Sequence, residues 1–324
     1  MADTVIEDAV IEDAVSEDTV SEDAVIEDID GTPVVIEAAL NGVTRRERNP
    51  IVPVMPDELA ADAIACIDAG ATVVHTHSHD MRAPAEQNAE AYAQAYRAVL
   101  RERPDAILYP TSGLGPTMAD RYRHIEILAD EGLIRAGFAD TGSVNLGGTG
   151  ADGLPPESDY VYTNTFRDIR YVLDVCARLR LGPSVACYEP GFLRVVLAYY
   201  DAGALPAGTL VKFYFSGGAF LGGPDALPLW GAPPTAEALA MYVSMLGARD
   251  IPWAVAVLGG NVFDTPVARL ALEQGGHLRV GLEDDQDGGP NVDAVRRAAK
   301  LCAEVGRPVA SAPEASRLLG LPRS

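Results

Sequence analysis

Lysine is nearly missing from this chain of 324 residues: Lys212 and Lys300 are the only two, and the remaining basic side chains are arginines. That bias reads as compositional rather than functional. Cysteine is scarce as well. Cys66, Cys176, Cys187 and Cys302 show no Cys-x-x-Cys spacing, which argues for buried free thiols rather than a disulfide framework. No apolar run approaches the roughly 18 residues that a membrane helix needs, and the acidic N-terminal stretch is the opposite of a signal peptide. The expected location is therefore cytoplasmic. Positive charge is in deficit, with a formal net charge of -22, which speaks against nucleic acid and anionic membranes as partners. A Gly-x-Gly-x-x-Gly turn after the first strand is absent, which weighs against a doubly wound dinucleotide-binding sheet.

Much of the negative charge is local. Residues 1–32 carry twelve acids and no Lys or Arg, so the remainder holds 35 acidic against 25 basic groups, a net of -10. Within residues 5–29 a five-residue unit recurs: VIEDA, VIEDA, VSEDT, VSEDA, VIEDI. A period of five fits neither the helical 3.6 nor the strand's 2, so its apolar residues cannot gather on one face. Residues 1–32 are accordingly expected to be a disordered acidic tail, and residues 33–324 the folded domain.

From Pro33 onward short β-rich runs alternate with helical stretches. The expected strands are Val34–Leu40, Thr72–His77, Ala106–Pro110, Arg135–Asp140, Ser184–Tyr188, Thr209–Phe215, Trp253–Leu258 and Leu278–Leu282. Between them, Pro56-Asp57-Glu58 opens a helix that Gly70 closes, Thr117–Glu131 ends at Gly132, and Asn291–Val305 ends at Gly306. Eight strands, each followed by a helix, predict an α/β fold of the (β/α)8 TIM barrel type, with its chemistry at the C-terminal ends of the strands. The unusual residues fall there: Glu37 and Asn41, His75 and His77, Thr111-Ser112-Gly113, Asp140 to Asn145, Glu189, and Glu283-Asp284.

Three of the five histidines lie in Val73-Val74-His75-Thr76-His77-Ser78-His79-Asp80. On a strand, residues two apart share a face, so His75 and His77 can aim at one point, as a divalent metal requires. By the same alternation Arg279, Gly281 and Glu283 of the last strand would face the barrel mouth, and charge there needs a partner or a ligand. Strand eight closes beside strand one and near strand two. Glu283 can thus complete a two-histidine, one-carboxylate site of the catalytic zinc kind, with a structural Arg279–Glu283 ion pair as the competing reading. Glu37, an acid inside an apolar strand, is a metal-supporting group, a substrate contact, or a buried carboxylate satisfied by an arginine.

These residues together resemble the β-keto acid cleavage enzymes, the family typified by 3-keto-5-aminohexanoate cleavage. The resemblance spans residues 33–324. It is carried by Ile36-Glu37-Ala38-Ala39-Leu40-Asn41-Gly42, Asn49-Pro50 with Val52-Pro53, Ala69-Gly70-Ala71 leading into His75-Thr76-His77, Gly142-Ser143-Val144-Asn145, and Gly275 to Asp284. It implies a zinc-dependent barrel that condenses a β-keto acid with acetyl-CoA, giving acetoacetate and a new acyl-CoA through an enolate and a retro-Claisen step. His75, His77 and Glu283 would hold Zn2+. Arg279 and Asp284 would form the proton-abstracting pair, and Glu37, Ser112, Gly115, Ser143 and Asn145 would line the substrate pocket. A homo-oligomer, a tetramer, is also implied. His79 replaces the family's usual arginine, and Asp285 stands where asparagine is common. The competing enzyme class is a metal-dependent hydrolase of the amidohydrolase type, which places His-x-His on its first strand and draws further ligands from middle strands.

Overall fold

A computed structural model describes residues 31–218, 220 and 226–322. The acidic repeat therefore lies outside the described residues. The eight strands are β1 (Ile36–Ala39), β2 (Val73–Thr76), β3 (Ile107–Pro110), β4 (Ala136–Phe138), β5 (Gly182–Cys187), β6 (Leu210–Ser216), β7 (Trp253–Leu258) and β8 (His277–Val280). Each coincides with an expected strand, usually trimmed by a residue or two at its ends. All strand pairings are parallel and β8 lies against β1, so the sheet runs from β3 through β1 and β8 to β4 and curls into a nearly closed (β/α)8 barrel. The β3–β4 edge is the looser seam, where Arg135 N–H donates to Leu108 C=O at 3.3 Å.

The helices form because their ends carry the right chemistry. α1 (Pro56–Asp68) starts on a proline with Asp57 and Glu58 in its first turn, where negative charge complements the helix dipole. α3 (Met118–Asp130) and α4 (Phe166–Leu179) begin at Thr117 and Thr165, whose hydroxyls accept from the N–H three residues on. Between these run α2 (Ala85–Glu102), then α5 (Pro190–Asp201), α6 (Ala236–Leu246), α7 (Val267–Glu273) and α8 (Asn291–Glu304). None of the helices in the described residues is long and apolar enough to cross a membrane.

The core has two main parts and a small third cluster of Ala186, Tyr214, Phe220, Trp230, Ala256 and Leu258. The larger lies between the outward strand faces and the helices. The smaller fills the N-terminal end of the barrel, where Val35, Val73, Ile107 and Leu210 meet Leu319 and Leu321, carried in by α9 (Ala312–Leu318). The bottom is thus plugged by the C-terminal helix. All four cysteines are free and buried, as their spacing predicts.

The boundary that bears on the site is the end of β8. β8 ends at Val280, because Gly281 takes a φ of +137° and a Cβ there would stand 2.2 Å from Ala39 O. Asp284 and Asp285 N–H both donate back to Gly281 C=O, at 3.1 and 2.9 Å. Glu283 therefore reaches the barrel mouth on a turn, not by continuing the alternation from Arg279.

Candidate active site

β2 and the turn after β8 flank β1 at the top of the barrel, and this brings His75, His77 and Glu283 together. One ligating atom from each lies within 4.8 Å of the others, and this is the one such grouping of His, Cys, Asp or Glu among the described residues. His75 Nε2 is 3.3 Å and His77 Nε2 3.5 Å from the Glu283 oxygens. The backbone is held to match. Asn41 brackets His77, donating from Nδ2 to its carbonyl at 2.9 Å and accepting its N–H at 2.8 Å. Around Glu283, Thr44 Oγ1 donates to Leu282 C=O at 2.7 Å and Asn291 Oδ1 accepts Leu282 N–H at 2.8 Å.

The donor set suits a cation on electronic grounds. His75 Nδ1 faces the Tyr109 carbonyl at 3.3 Å, so that nitrogen carries the proton and Nε2 presents a lone pair. Burial holds His75 neutral, down to about 3, against the pull of Glu283. Glu283 is pushed the other way: burial raises it, but Arg279 and the two histidines outweigh that and keep it well below the usual carboxylate range. Two lone-pair atoms then face each other across the site, and Glu283 Oε2 and His77 Nδ1 are buried without a hydrogen-bond partner. That is the chemistry of a metal cradle rather than of a closed hydrogen-bond network.

Beneath the cluster lies a buried polar layer. Glu37 Oε1 accepts from Arg279 Nη1 at 2.7 Å, from Lys212 Nζ at 3.1 Å and from the Tyr109 hydroxyl. Burial would raise Glu37, yet Lys212 and Arg279 prevail and hold it down to about 2. Of the three sequence readings of Glu37, this geometry matches the carboxylate satisfied by buried cations. Arg279 also meets Glu283 at 2.9 Å and the Asp284 carboxylate at 3.0 Å through Nε. The ion-pair reading of Arg279 and Glu283 and the metal reading are therefore compatible. Asp284 is raised above the carboxylate range by burial.

The cluster opens into a cavity of about 410 Å³, lined by His75, His77, Glu283, Arg279, Ser112 and Gly115 with an aromatic wall from Tyr109, Tyr162, Tyr188 and Tyr214. Size and composition fit a small-molecule site. Asp284 lies outside this lining, behind Arg279, on a smaller cavity of about 180 Å³. Ser143 and Asn145 are also outside the lining and exposed. The Ser143 hydroxyl is taken by Asn164, donating to its carbonyl at 3.0 Å and accepting its N–H at 2.9 Å. The other histidines stay apart from the pair. His79 is exposed, His124 Nε2 faces Thr111 C=O at 2.8 Å, and His277 Nδ1 accepts Val35 N–H at 3.2 Å.

Lys212 is the functional-looking residue that sequence reasoning missed. It sits inside the apolar run Leu210-Val211-Lys212-Phe213-Tyr214-Phe215, the same signal that singled out Glu37. Asp140 lies just beyond β4, at the strand end where the sequence places Asp140 to Asn145. Its carboxylate accepts from the Tyr162 hydroxyl at 2.8 Å and from Ala186 N–H at 3.0 Å, and burial pushes it up to about 6.

Residues 33–321 match the family described as beta-keto acid cleavage enzyme. The chain belongs to that family. Relatives include the 3-keto-5-aminohexanoate cleavage enzyme of Fusobacterium nucleatum, 26% identical over 89% of this chain and 98% of that protein. Another is the 3-oxoadipate:acetyl-CoA acetyltransferase of Cupriavidus necator, 29% identical over 90% of this chain and 95% of that one. Among solved structures, the ternary complex of ObcA with a C4-CoA adduct and oxalate aligns with a TM-score of 0.59 at 16% identity, covering 84% of this chain and 68% of that one. That likeness concerns the fold. In this beta-keto acid cleavage enzyme family member, His75, His77, Arg279 and Glu283 are the residues of the resembling segments that line the cavity, while Ser143 and Asn145 lie outside it.

Proposed function

We propose that this chain is a zinc-dependent β-keto acid:acetyl-CoA acyltransferase. The reaction is R–CO–CH2–COO⁻ plus CH3–CO–SCoA giving R–CO–SCoA plus acetoacetate, so every atom is accounted for and no external oxidant or hydride is involved. The observation that carries this reading is the meeting of His75, His77 and Glu283 beside the buried guanidinium of Arg279 in a single cavity. Membership of the family and the acetyl-CoA partner named for the Cupriavidus necator relative support it.

His75, His77 and Glu283 would hold Zn2+, which when bound supplies Lewis acidity toward the keto acid's oxygens. The chain's own groups do the rest. Arg279 faces the cavity and steadies the negative charge that develops as the carbon between ketone and carboxylate loses its proton. Asp284, fixed against Arg279 and raised by burial, is the proton acceptor, and its place behind the guanidinium makes the two a working unit. Glu37 and Lys212 set Arg279 from below. Ser112 and Gly115 border the keto acid, and the aromatic wall excludes water from the reactive carbanion.

The test is incubation with acetyl-CoA and a panel of β-keto acids, following acetoacetate. Zinc-loaded protein that forms no acetoacetate with any of them would sink the reading.

A further inference from the structure

The cations that line the large cavity are not equivalent. Arg279 is engaged by Glu37, Glu283 and Asp284, and Lys212 by Glu37 and the Tyr109 hydroxyl. Arg121, on the first turn of α3, lines the same cavity and has no such partner. Its Nη1 donates to Thr163 C=O at 3.2 Å, which pins the guanidinium to the wall. Among the described residues no carboxylate stands at ion-pair distance from it. The neighbouring Asp120 spends its carboxylate on Thr117, at 3.1 Å from N and 2.6 Å from Oγ1. Asp140, the other acid lining the cavity besides Glu283, is taken by Tyr162 and Ala186. A guanidinium offers five donors in a planar fork matched to carboxylates, so Arg121, which lines the cavity and gives one N–H to Thr163, keeps donors free for an anion.

Its setting ties it to the acid-binding wall. Gly113 N–H donates to Arg121 C=O at 2.8 Å, and a Cβ on Gly115 would lie 3.4 Å from Arg121 N, so the loop bearing Ser112 and Gly115 rests on Arg121's own turn. Leu114, Tyr160 and Val161 share the lining with it.

We infer that Arg121 selects the keto acid: the preferred substrate is a β-keto dicarboxylate whose second carboxylate, at the end of the chain remote from the reacting carbon, pairs with this guanidinium. The inference rests on the transferase reading above and narrows its substrate class. A phosphate of acetyl-CoA offers the same anionic chemistry, and the experiment separates the two.

Zinc-loaded wild type and Arg121→Met are compared on 3-oxoadipate and on 3-oxohexanoate, which ends in a methyl group, with acetoacetate as the readout and acetyl-CoA varied. Wild type is expected to favour 3-oxoadipate in kcat/KM by about 10- to 100-fold, the scale of one charge-assisted pair, and R121M to reduce that ratio to about one. R121K should keep part of the preference, since it retains charge without the fork. Calorimetric binding of 3-oxoadipate, without acetyl-CoA, should weaken in R121M in parallel. Equal turnover of both acids by wild type overturns the inference and leaves the transferase reading standing. Equal losses on both acids in R121M with a raised KM for acetyl-CoA also overturn it, and assign Arg121 to the coenzyme. Turnover of neither acid, nor of any other in the panel, overturns the transferase reading and this inference with it.

Discussion

Gly42 and Glu283 are packed so closely that a Cβ on the glycine would lie 2.2 Å from Glu283 Cγ. Gly42 also holds a φ of +53°, so both its backbone and its missing side chain are used. Gly42→Ala is therefore expected to push Glu283 away from His75 and His77 while the barrel stays folded. Zinc affinity, measured by competition with a chromogenic chelator, should fall about 10- to 100-fold, the usual effect of disturbing a metal ligand's support. Unchanged affinity would mean that Glu283 is not a ligand.

Metal content and turnover should separate. His75→Ala is expected to lose zinc and activity together, because one of the three ligating atoms is gone. Asp284→Asn should keep zinc near stoichiometric and lower kcat by about 10²- to 10⁴-fold, the range for removing a general base. Elemental analysis beside acetoacetate assays checks both, and full zinc retention in H75A would contradict the ligand assignment.

Lys212 is buried 3.1 Å from the Glu37 carboxylate. Glu37 keeps Arg279 when Lys212 is removed, so Lys212→Met should cost less than the roughly 3–5 kcal/mol of a fully orphaned buried charge. The double variant K212M/E37Q should cost less than the sum of the singles by about 1–3 kcal/mol. Urea unfolding of the four proteins gives the cycle, and strict additivity would show that the pair is not coupled.

Acid sensitivity should come partly from two histidines remote from the cluster. Burial holds His277 down to about 3 and His124 down to about 4, against an ordinary value of 6.5. Their folded values lie below the unfolded one, so between about pH 6.5 and pH 3–4 the unfolded chain binds more protons. Stability is complete above pH 6.5 and declines as the pH falls through that window, by up to about 1.4 kcal/mol per pH unit for each histidine. Urea midpoints at pH 7, 6 and 5 should show the decline. His277→Gln should flatten it, and an equally steep slope in that variant would place the effect elsewhere.

Much of this was legible before any coordinates. Strand identity survived because each strand's apolar run and its closing helix signals agree, and the histidine pair was readable because alternation on β2 is local. Glu283 does meet His75 and His77, but alternation along the strand is an incomplete reason for it. Alternation along β8 stops at Gly281, and the side chain arrives by a turn whose shape depends on Ala39, Thr44 and Asn291. The partners of Glu37 were not readable, since Lys212 and Arg279 are 175 and 242 residues away and only barrel closure brings them near. The orientation of Ser143 toward Asn164 depends on an isolated antiparallel bridge, Val144 to Tyr162, inside a long loop. No periodicity announces such a contact.

The three clustered side chains come from opposite ends of the folded sequence, with β1 seated between the strands that deliver them. An ion held there would act as a clasp joining the second stave to the last across the first. Until β8 has docked, the histidines of a growing chain have no carboxylate to share a cation with. On the zinc reading, loading would follow the docking of β8, and saturating zinc should raise the melting temperature by binding the folded form alone.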